Sequence, residues 1–175
     1  MYERFKMKKL NIGCGRDIKP GFVNIDIVKL PGVDKVVNLD KYPWPFKDNT
    51  FDYVYCASVL EHVEDVIKFL EEVSRISKNG AILDIKVPHF SSMGAYKDPT
   101  HKHFFTYYSF DYFTEKDDYN FYSNIRFNIL KRKIIYPNIL FAFEWIANLS
   151  PKFHEIFLTK YLPVRDLIFK LQVKK

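Results

Sequence analysis

Residues 9–27, KLNIGCGRDIKPGFVNIDI, predict two short strands joined by a glycine-rich turn. The first strand, Lys9–Ile12, runs into Gly13-Cys14-Gly15, where glycines let the main chain turn sharply and lie directly against a ligand. The second strand, Phe22–Ile27, carries Asp26 near its end, where a carboxylate can accept hydrogen bonds from both hydroxyls of a ribose. The alternative interpretation is a structural tight turn followed by a surface carboxylate.

The turn lacks the pattern of a dinucleotide-binding site. That pattern needs a third glycine three residues after Gly15, where this chain has Ile18. It also needs a helix whose N-terminus holds a pyrophosphate, and residues 16–22, which contain Pro20-Gly21, leave hardly any room for one. A nicotinamide oxidoreductase is therefore disfavoured, whereas a ligand with adenosine but no phosphate would not need such a helix.

The remainder of the chain alternates further strands with one clear helix. Apolar residues recur at three- and four-residue steps over Val63–Lys78, which predicts a helix that Asn79-Gly80 ends. A strand–helix–strand unit with short connections indicates an α/β fold with a parallel, buried sheet. The other predicted strands are Lys35–Leu39, Phe51–Ala57, Ala81–Val87, Phe127–Tyr136 and Asp166–Val173.

Composition predicts a single domain over residues 1–175 in a reducing, cytoplasmic setting. The 175-residue chain is 47% apolar and 27% charged, too short for two ordinary domains and too apolar to be disordered. Its two cysteines are too few for a disulfide framework. We expect no secretory signal and no membrane-spanning helix, which needs about 20 apolar residues. The net charge of +6 indicates anionic partners or, equally, a lysine-rich solvated surface.

Three stretches carry a resemblance to a known family. They are LNIGCGRDIKPGFVNIDI (10–27), NLDKYPWPFKDNTFDYVYCASVLEHV (38–63) and PHFSSMGAYKDPTHKHFFTYYSFDYF (88–113). The first two resemble the class I S-adenosylmethionine-dependent methyltransferases of the broad methyltransferase-11-like group. The third resembles a small-enzyme subgroup with a comparable Asp-Pro-Thr-His loop.

The resemblance implies a Rossmann-like, mostly parallel twisted sheet of about seven strands whose last pair is antiparallel. Here the usual helices after the first and second strands are reduced to loops, at residues 16–22 and 28–34. A helical, aromatic insertion is expected at about residues 138–163. One face of the sheet would then be poorly covered, and we expect the aromatic C-terminal segment or a second subunit to cover it.

The resemblance also implies S-adenosylmethionine as the methyl donor, with S-adenosylhomocysteine as the product. The glycine turn would present main chain to the methionine part of the cofactor, and Asp26 would bind its ribose. Residues after the third strand would face the adenine, and residues after the fourth would border both the cofactor and the acceptor. Asn38 stands where the family often has aspartate, and Asn11 where many members have an acidic residue. The predicted cofactor-binding residues are Asn11, Gly13, Cys14, Gly15, Asp26, Asn38, Leu39, Ala57 and Ser58.

Methyl transfer from a sulfonium requires alignment and exclusion of water, and it requires a base only where the acceptor loses a proton. His101, which follows Asp98 in a loop after the strand ending at Pro88, is the first candidate for that base, and His89 is the second. The alternative is that these histidines only bond the main chain. No metal is predicted, because Asp98, His101 and His103 lack an evident fourth ligand.

The acceptor is predicted to be a small molecule: a sugar, a lipid-linked compound or another metabolite. The alternatives are a non-catalytic scaffold or cofactor-binding protein that retains the fold, and an RNA-directed methyltransferase, although no RNA-binding module is recognisable. A homodimer is also considered, as is contact of residues 139–149 with a membrane surface through Phe141, Phe143 and Trp145. The aromatic residues between Phe104 and Phe113 are predicted to form the wall of a substrate pocket, part of the hydrophobic core, or a mixture of the two.

Overall fold

The computed structural model describes residues 7–115, 117–118 and 120–175. Its strands are β1 (Lys9–Ile12), β2 (Val23–Asp26), β3 (Lys35–Val36), β4 (Phe51–Ala57), β5 (Ser77–Pro88), β6 (Arg126–Ile135) and β7 (Asp166–Lys174). They form one seven-stranded sheet in the order β3-β2-β1-β4-β5-β7-β6. The strands from β1 to β5 pair in parallel, and β7 is antiparallel to both of its neighbours. The predicted α/β, Rossmann-like fold with an antiparallel last pair is therefore confirmed.

The helices of the described residues are mostly short. They are α1 (Val66–Ile76), α2 (Met93–Tyr96), α3 (Glu144–Leu149) and α4 (Pro151–Phe153), with 3-10 turns at Asp111–Phe113, Asn120–Tyr122 and Asn138–Phe143 and a π turn at His154–Leu158. The connections after β1 and β2 contain no helix, as predicted. None of the helices in the described part of the chain is long and apolar enough to cross a membrane.

Helix α1 is shorter than its apolar pattern predicts, at both ends. It begins after Asp65, whose extended backbone and side chain cap the helix by accepting a hydrogen bond from the main-chain nitrogen of Lys68. It ends at Ile76 because Ser77 is already extended and belongs to β5. Gly80, with a φ of 80°, lies inside β5 where its register with β4 shifts, so Asn79-Gly80 forms a strand irregularity rather than a helix stop.

The sheet is fully buried on one face only, as the reduced helices led us to expect, and not on both faces as in an ordinary parallel sheet. Along β5 and β7, buried apolar residues alternate with half-buried ones, and the paired residues of neighbouring strands keep this alternation. Tyr53, Asp84 and Lys170 lie on the half-buried face, where the Tyr53 hydroxyl donates to Asp84 over 2.7 Å. This polar pattern follows from the missing helices, which in the full fold would cover that face.

The buried face packs against α1, a tryptophan loop and an aromatic turn. Phe69 of α1 contacts Trp44 with ring centroids 5.2 Å apart. Phe110 contacts Phe169 of β7 at 4.5 Å. Phe105, Phe110 and Phe113 are buried, whereas Phe104 is exposed, so most of this aromatic cluster is core and part of it faces solvent.

The segment between β6 and β7 packs along the free edge of β6. The Asn148 side chain accepts a hydrogen bond from the main-chain nitrogen of Ile134 and donates one to its carbonyl oxygen, both over 2.9 Å. Glu144 forms an ion pair with Lys133. These contacts are with the sheet edge and not with the half-buried face that we expected the segment to cover. Coverage of that face by a second subunit stays a prediction.

One buried ion pair holds the tryptophan loop against α1. Glu72 accepts hydrogen bonds from the main-chain nitrogen of Trp44 at 2.6 Å and from Arg75 at 2.6 and 2.9 Å. Arg75 also donates to the carbonyl oxygens of Trp44 and Phe46. The loop therefore depends on Arg75 for both charge compensation and main-chain hydrogen bonds.

We expect Arg75→Ala to lower the free energy of unfolding by about 2–4 kcal/mol, because it leaves the Glu72 carboxylate buried without its partner. The matched control is Lys68→Ala, which removes an exposed ion pair with Asp65 at 3.8 Å. Its expected cost is below about 0.5 kcal/mol. Urea unfolding measures both, and equal losses would contradict the role given to Arg75.

Candidate functional site

A cavity of about 300 Å³ lies at the edge of the sheet where β1 to β4 end. The carboxyl ends of parallel strands form the crevice in which open α/β sheets bind ligands. Residues that follow four different strands therefore meet here. The lining residues are Gly13, Asp26, Ile27, Asn38, Leu39, Asp40, Ser58, Val59, His62 and Val63.

The glycine turn after β1 lies close to Val59 and is hydrogen-bonded to the end of β2, in part through Asp26. Gly13 has a φ of 61°, and a Cβ atom at this position would lie 2.3 Å from a methyl group of Val59, so only glycine fits. Asp26 accepts hydrogen bonds from the main-chain nitrogens of Gly15 at 2.7 Å and Val28 at 3.0 Å. Each carboxylate oxygen retains capacity for a further hydrogen bond, so Asp26 is oriented without being saturated.

The far wall of the cavity combines polar and apolar groups. The side chain of Asn38 accepts a hydrogen bond from the main-chain nitrogen of Asp40 over 2.9 Å. The side chain of Asp40 in turn accepts one from the main-chain nitrogen of Glu64 over 2.8 Å. Leu39 and Val59 provide apolar surface suited to a planar ring. Asp40 was not among the predicted residues, although its position directly after Asn38-Leu39 was the available signal.

Ser58 follows β4 in a left-handed backbone conformation, with a φ of 55°. Such a conformation is uncommon for a residue other than glycine and occurs often at functional sites. The Ser58 nitrogen donates to the carbonyl oxygen of Lys86 over 2.9 Å, which fixes the turn to the neighbouring strand.

Five of the predicted cofactor residues line the cavity: Gly13, Asp26, Asn38, Leu39 and Ser58. Gly15 adjoins it through its bond to Asp26.

Besides Gly15, three predicted residues are not among those lining the cavity. Asn11 is buried, and its side-chain nitrogen donates to the carbonyl oxygen of Asp17 at 2.8 Å and to Asn24 at 2.9 Å. Cys14 is also buried, and burial, together with the charge of Asp26, raises the pKa of its thiol, which disfavours a nucleophilic role. Ala57 lies on the half-buried face of β4. Their cofactor roles stay predictions.

A histidine cluster lies at one end of the cavity. The Nδ1 atom of His101 is 2.9 Å from the carbonyl oxygen of Ala95, and a carbonyl only accepts, so Nδ1 carries the hydrogen. In a neutral His101 ring the lone pair would therefore be on Nε2, which lies 4.0 Å from a carboxylate oxygen of Asp98. The ring of His62 packs against that of His101 with centroids 4.6 Å apart.

Hydrogen bonding also fixes the tautomer of His62. Thr100 donates its hydroxyl hydrogen to Asp98 over 2.7 Å, so it accepts from the Nδ1 atom of His62 over 2.9 Å. The Nε2 atom of His62 consequently also has a lone pair. Burial, followed by the charge of His101, lowers the pKa of His62, which favours the neutral ring at neutral pH.

The side chain of Glu61 is buried in the cluster with one carboxylate oxygen, Oε2, unpaired among the described residues. Burial raises the pKa of Glu61 to about 7. Its carbonyl oxygen accepts from the main-chain nitrogens of Lys102 at 2.7 Å and His103 at 3.3 Å, which joins the histidine loop to the turn after β4. Glu61 and His62 both lie in the quoted Leu-Glu-His-Val motif, but sequence did not reveal that Glu61 is buried.

Three ligand atoms capable of holding a metal lie close together in this cluster. One atom each from Glu61, His62 and His101 falls within 4.8 Å of the other two. This set differs from the one considered from sequence, because the Nε2 atom of His103 bonds the carbonyl oxygen of Val63 at 2.9 Å. The prediction that no metal is used stays a prediction.

His89 lies in a different environment from His101. It is fully buried, and its Nδ1 atom accepts from the main-chain nitrogen of Ser91 at 3.1 Å. Its Nε2 atom therefore donates to Glu155, 3.1 Å away. Both ring nitrogens are engaged, which favours a positioning role for His89 over the predicted role as a base.

A larger groove of about 550 Å³ lies at the opposite edge of the sheet, with Arg126 and Lys174 among its lining residues. Arg126 begins β6 and Lys174 ends β7, beside the amino end of β5. Ligands of open α/β sheets bind at the other edge, so we place the functional site in the smaller cavity.

Comparison with known proteins agrees with this geometry. A family model for a methyltransferase domain matches residues 9–85, from β1 into β5. A segment of 49 residues is 51% identical to an uncharacterized protein of Methanocaldococcus jannaschii, over 28% of this chain and 21% of that protein. Another, of 58 residues, is 38% identical to norajmaline N-methyltransferase of Rauvolfia serpentina, over 31% of this chain and 20% of that protein. The matches thus span about a fifth of the length of these curated relatives.

The fold extends the similarity to nearly the whole chain. A crystal structure of an S-adenosylmethionine-dependent methyltransferase from Archaeoglobus fulgidus superposes with a TM-score of 0.63 at 19% identity. The superposition covers 98% of this chain and 88% of that one. At this level of identity the likeness establishes the fold alone.

The raised pKa of Glu61 predicts a specific pH dependence of stability. Between its ordinary value of 4.5 and about 7, the folded chain holds a proton that the unfolded chain has released. Stability from this group therefore falls as pH rises through that window, by an amount on the order of 2 kcal/mol. We expect Glu61→Gln to be more stable than the wild type at about pH 8 and nearly equal to it at about pH 4.

Urea unfolding across this pH range measures the difference. The matched control is Glu64→Gln, since the side chain of Glu64 is exposed. A stability difference for Glu61→Gln that does not change with pH would contradict the assignment.

Proposed function

We propose that the chain is a class I S-adenosylmethionine-dependent methyltransferase and that it transfers a methyl group from S-adenosylmethionine to a proton-bearing atom of a small-molecule acceptor. The observation that carries this proposal is the meeting of the glycine turn, Asp26 and the neutral His62 around one cavity, with the ring of His101 packed against His62. A site with this composition can bind an adenosine and remove a proton.

The residues of the cavity fit the cofactor. Asp26 presents a carboxylate with unused acceptor capacity, which suits two ribose hydroxyls. Leu39 and Val59 suit the faces of an adenine, and Asn38 can bond its edge. The absent helix after β1 would matter only for a pyrophosphate, which this cofactor lacks. When bound, S-adenosylmethionine supplies a methyl group already activated by the positive sulfur.

Residues of the histidine cluster would remove the proton of the acceptor. The bond between sulfur and the methyl carbon breaks, its electron pair stays on sulfur, and a bond from the acceptor atom to the methyl carbon forms. We assign the acceptor's proton to the Nε2 atom of His101, because Ala95 keeps the hydrogen on Nδ1. Glu61 would stabilise the resulting imidazolium from its buried position, which makes it a positioning residue.

The acceptor class is proposed from the shape and chemistry of this end of the site. In the loop from 89 to 104, Tyr96 directly follows Ala95, whose carbonyl oxygen bonds His101, and its ring stacks on Phe104 with centroids 4.8 Å apart. Such surfaces suit sugar or aromatic rings of a sugar, a lipid-linked compound or another metabolite. The alternative of a non-catalytic, cofactor-binding protein is motivated by Asn38, where the family often has aspartate.

We expect Asp26→Ala to weaken binding of S-adenosylhomocysteine by at least about tenfold, because it removes two charge-assisted hydrogen bonds. Asp26→Asn serves as a second variant that keeps the shape of the turn and should weaken binding less. Isothermal titration calorimetry measures both, with Asp17→Asn as the control at an exposed carboxylate. Undiminished affinity in both Asp26 variants would rule out this cofactor site.

We expect His101→Ala to lower the rate of methyl transfer by about 10²–10⁴-fold while leaving the affinity for S-adenosylhomocysteine unchanged. The assay supplies methyl-labelled S-adenosylmethionine with a panel of sugars, lipid-linked sugars and phenols. Cofactor binding without transfer to any of them would favour the non-catalytic alternative. Loss of transfer in EDTA, restored by a divalent cation, would assign the cluster of Glu61, His62 and His101 to a metal instead.

A further inference from the structure

The segment between β6 and β7 exposes an unusual amount of apolar surface. Trp145 and Leu149 of α3 are 64% and 73% exposed, and Phe153, Ile156 and Phe157 that follow are each more than half exposed. All five residues lie within positions 145–157, and the rings of Phe153 and Phe157 contact each other with centroids 5.1 Å apart. Contiguous apolar surface of this kind marks an interaction site.

In the same segment the acidic side chains face the protein and the lysines face solvent. Its two acids face inward: Glu144 pairs with Lys133, and Glu155 accepts hydrogen bonds from His89 and from the main-chain nitrogen of Tyr107. Its two lysines, Lys152 and Lys160, are exposed. The outward surface of residues 144–163 is therefore apolar with positive charge alone.

We propose that this segment docks on the surface of an anionic phospholipid bilayer. Short helices with tryptophan, phenylalanine and leucine on the outside lie in the interfacial plane of a membrane, and lysines add attraction to anionic headgroups. The described helices are too short to cross a bilayer, so the segment would lie on it.

Other partners suit this surface less well. In a symmetric dimer the same patch meets itself, which would bring Lys152 and Lys160 towards their own copies with no exposed acid in the segment to compensate them. Single-stranded nucleic acid binds by stacking its bases on aromatic rings. Leu149 and Ile156 are aliphatic and give no ring for a base to stack on.

The docking surface is joined to the functional site. Glu155 bonds His89 directly after β5, and Ile156 lines a surface cavity together with Tyr108. Docking would thus hold the acceptor side of the site close to the bilayer, which favours a lipid-linked acceptor. This consequence rests on the proposed function, but membrane docking itself does not.

The test uses the full chain and sonicated vesicles of phosphatidylglycerol or of phosphatidylcholine. The chain has two tryptophans, and Trp44 is 2% exposed, so a change in fluorescence on binding reports on Trp145. We expect co-sedimentation with phosphatidylglycerol vesicles and a blue shift of the emission, with binding at least about tenfold weaker to phosphatidylcholine.

We expect Lys152→Glu with Lys160→Glu, and separately Leu149→Ser with Phe153→Ser, to weaken binding to phosphatidylglycerol vesicles by at least about tenfold. The matched control is Phe121→Ser with Tyr122→Ser, which removes equally exposed aromatic rings before β6, at the opposite end of that strand. Circular dichroism confirms that each variant folds.

Absence of binding to phosphatidylglycerol vesicles by the wild type would overturn the proposal. Equal weakening in the control pair would also overturn it, as would a concentration-dependent dimer that the Leu149→Ser and Phe153→Ser substitutions abolish. None of these measurements involves methyl transfer, so failure here is distinguishable from failure of the proposed function.

Discussion

The burial of a single face of the sheet is the constraint on which the rest of this structure depends. Leu10, Val54, Leu83 and Leu171 form a row of fully buried residues across four paired strands, and α1 and the aromatic turn pack on that side. Because no helix follows β1 or β2, almost all of the hydrophobic stabilisation comes from this one layer. The other face is compatible with water because its residues, such as Asp84, are polar and hydrogen-bonded.

The missing helix after β1 also affects the candidate site. With no helix after β1, the glycine turn is supported by Asp26 and by the contact between Gly13 and Val59. These contacts come from the residues that also line the cavity, so binding groups and structural supports coincide. The buried ion pair between Glu72 and Arg75 supports the opposite wall through the loop at Trp44.

The histidine loop illustrates how hydrogen bonding decides chemistry among similar residues. His101 and His89 both follow β5, yet the carbonyl of Ala95 engages only the Nδ1 atom of His101, while Ser91 and Glu155 engage both ring nitrogens of His89. Glu155 also belongs to the segment with the exposed apolar surface. A hydrogen bond of the buried His89 thus joins this segment to the loop that follows β5.

Sequence by itself indicated the parallel α/β sheet, the reduced helices and most of the residues that line the cavity. These features depend on local patterns: strand alternation, the glycine turn, and the position of Asp26 and Asn38 after successive strands. The bounds of α1 were less predictable, because the cap at Asp65 and the immediate start of β5 at Ser77 end an apolar pattern that continues in sequence.

Only the tertiary structure decided which face of the sheet is covered and where the aromatic segment packs. It also decided that one ring nitrogen of His101 bonds the main chain while both ring nitrogens of His89 are engaged. Each of these depends on contacts between residues far apart in the chain, such as His89 with Glu155 and Asn148 with the edge of β6. The raised pKa of Glu61 likewise follows from its burial, which no local pattern encodes.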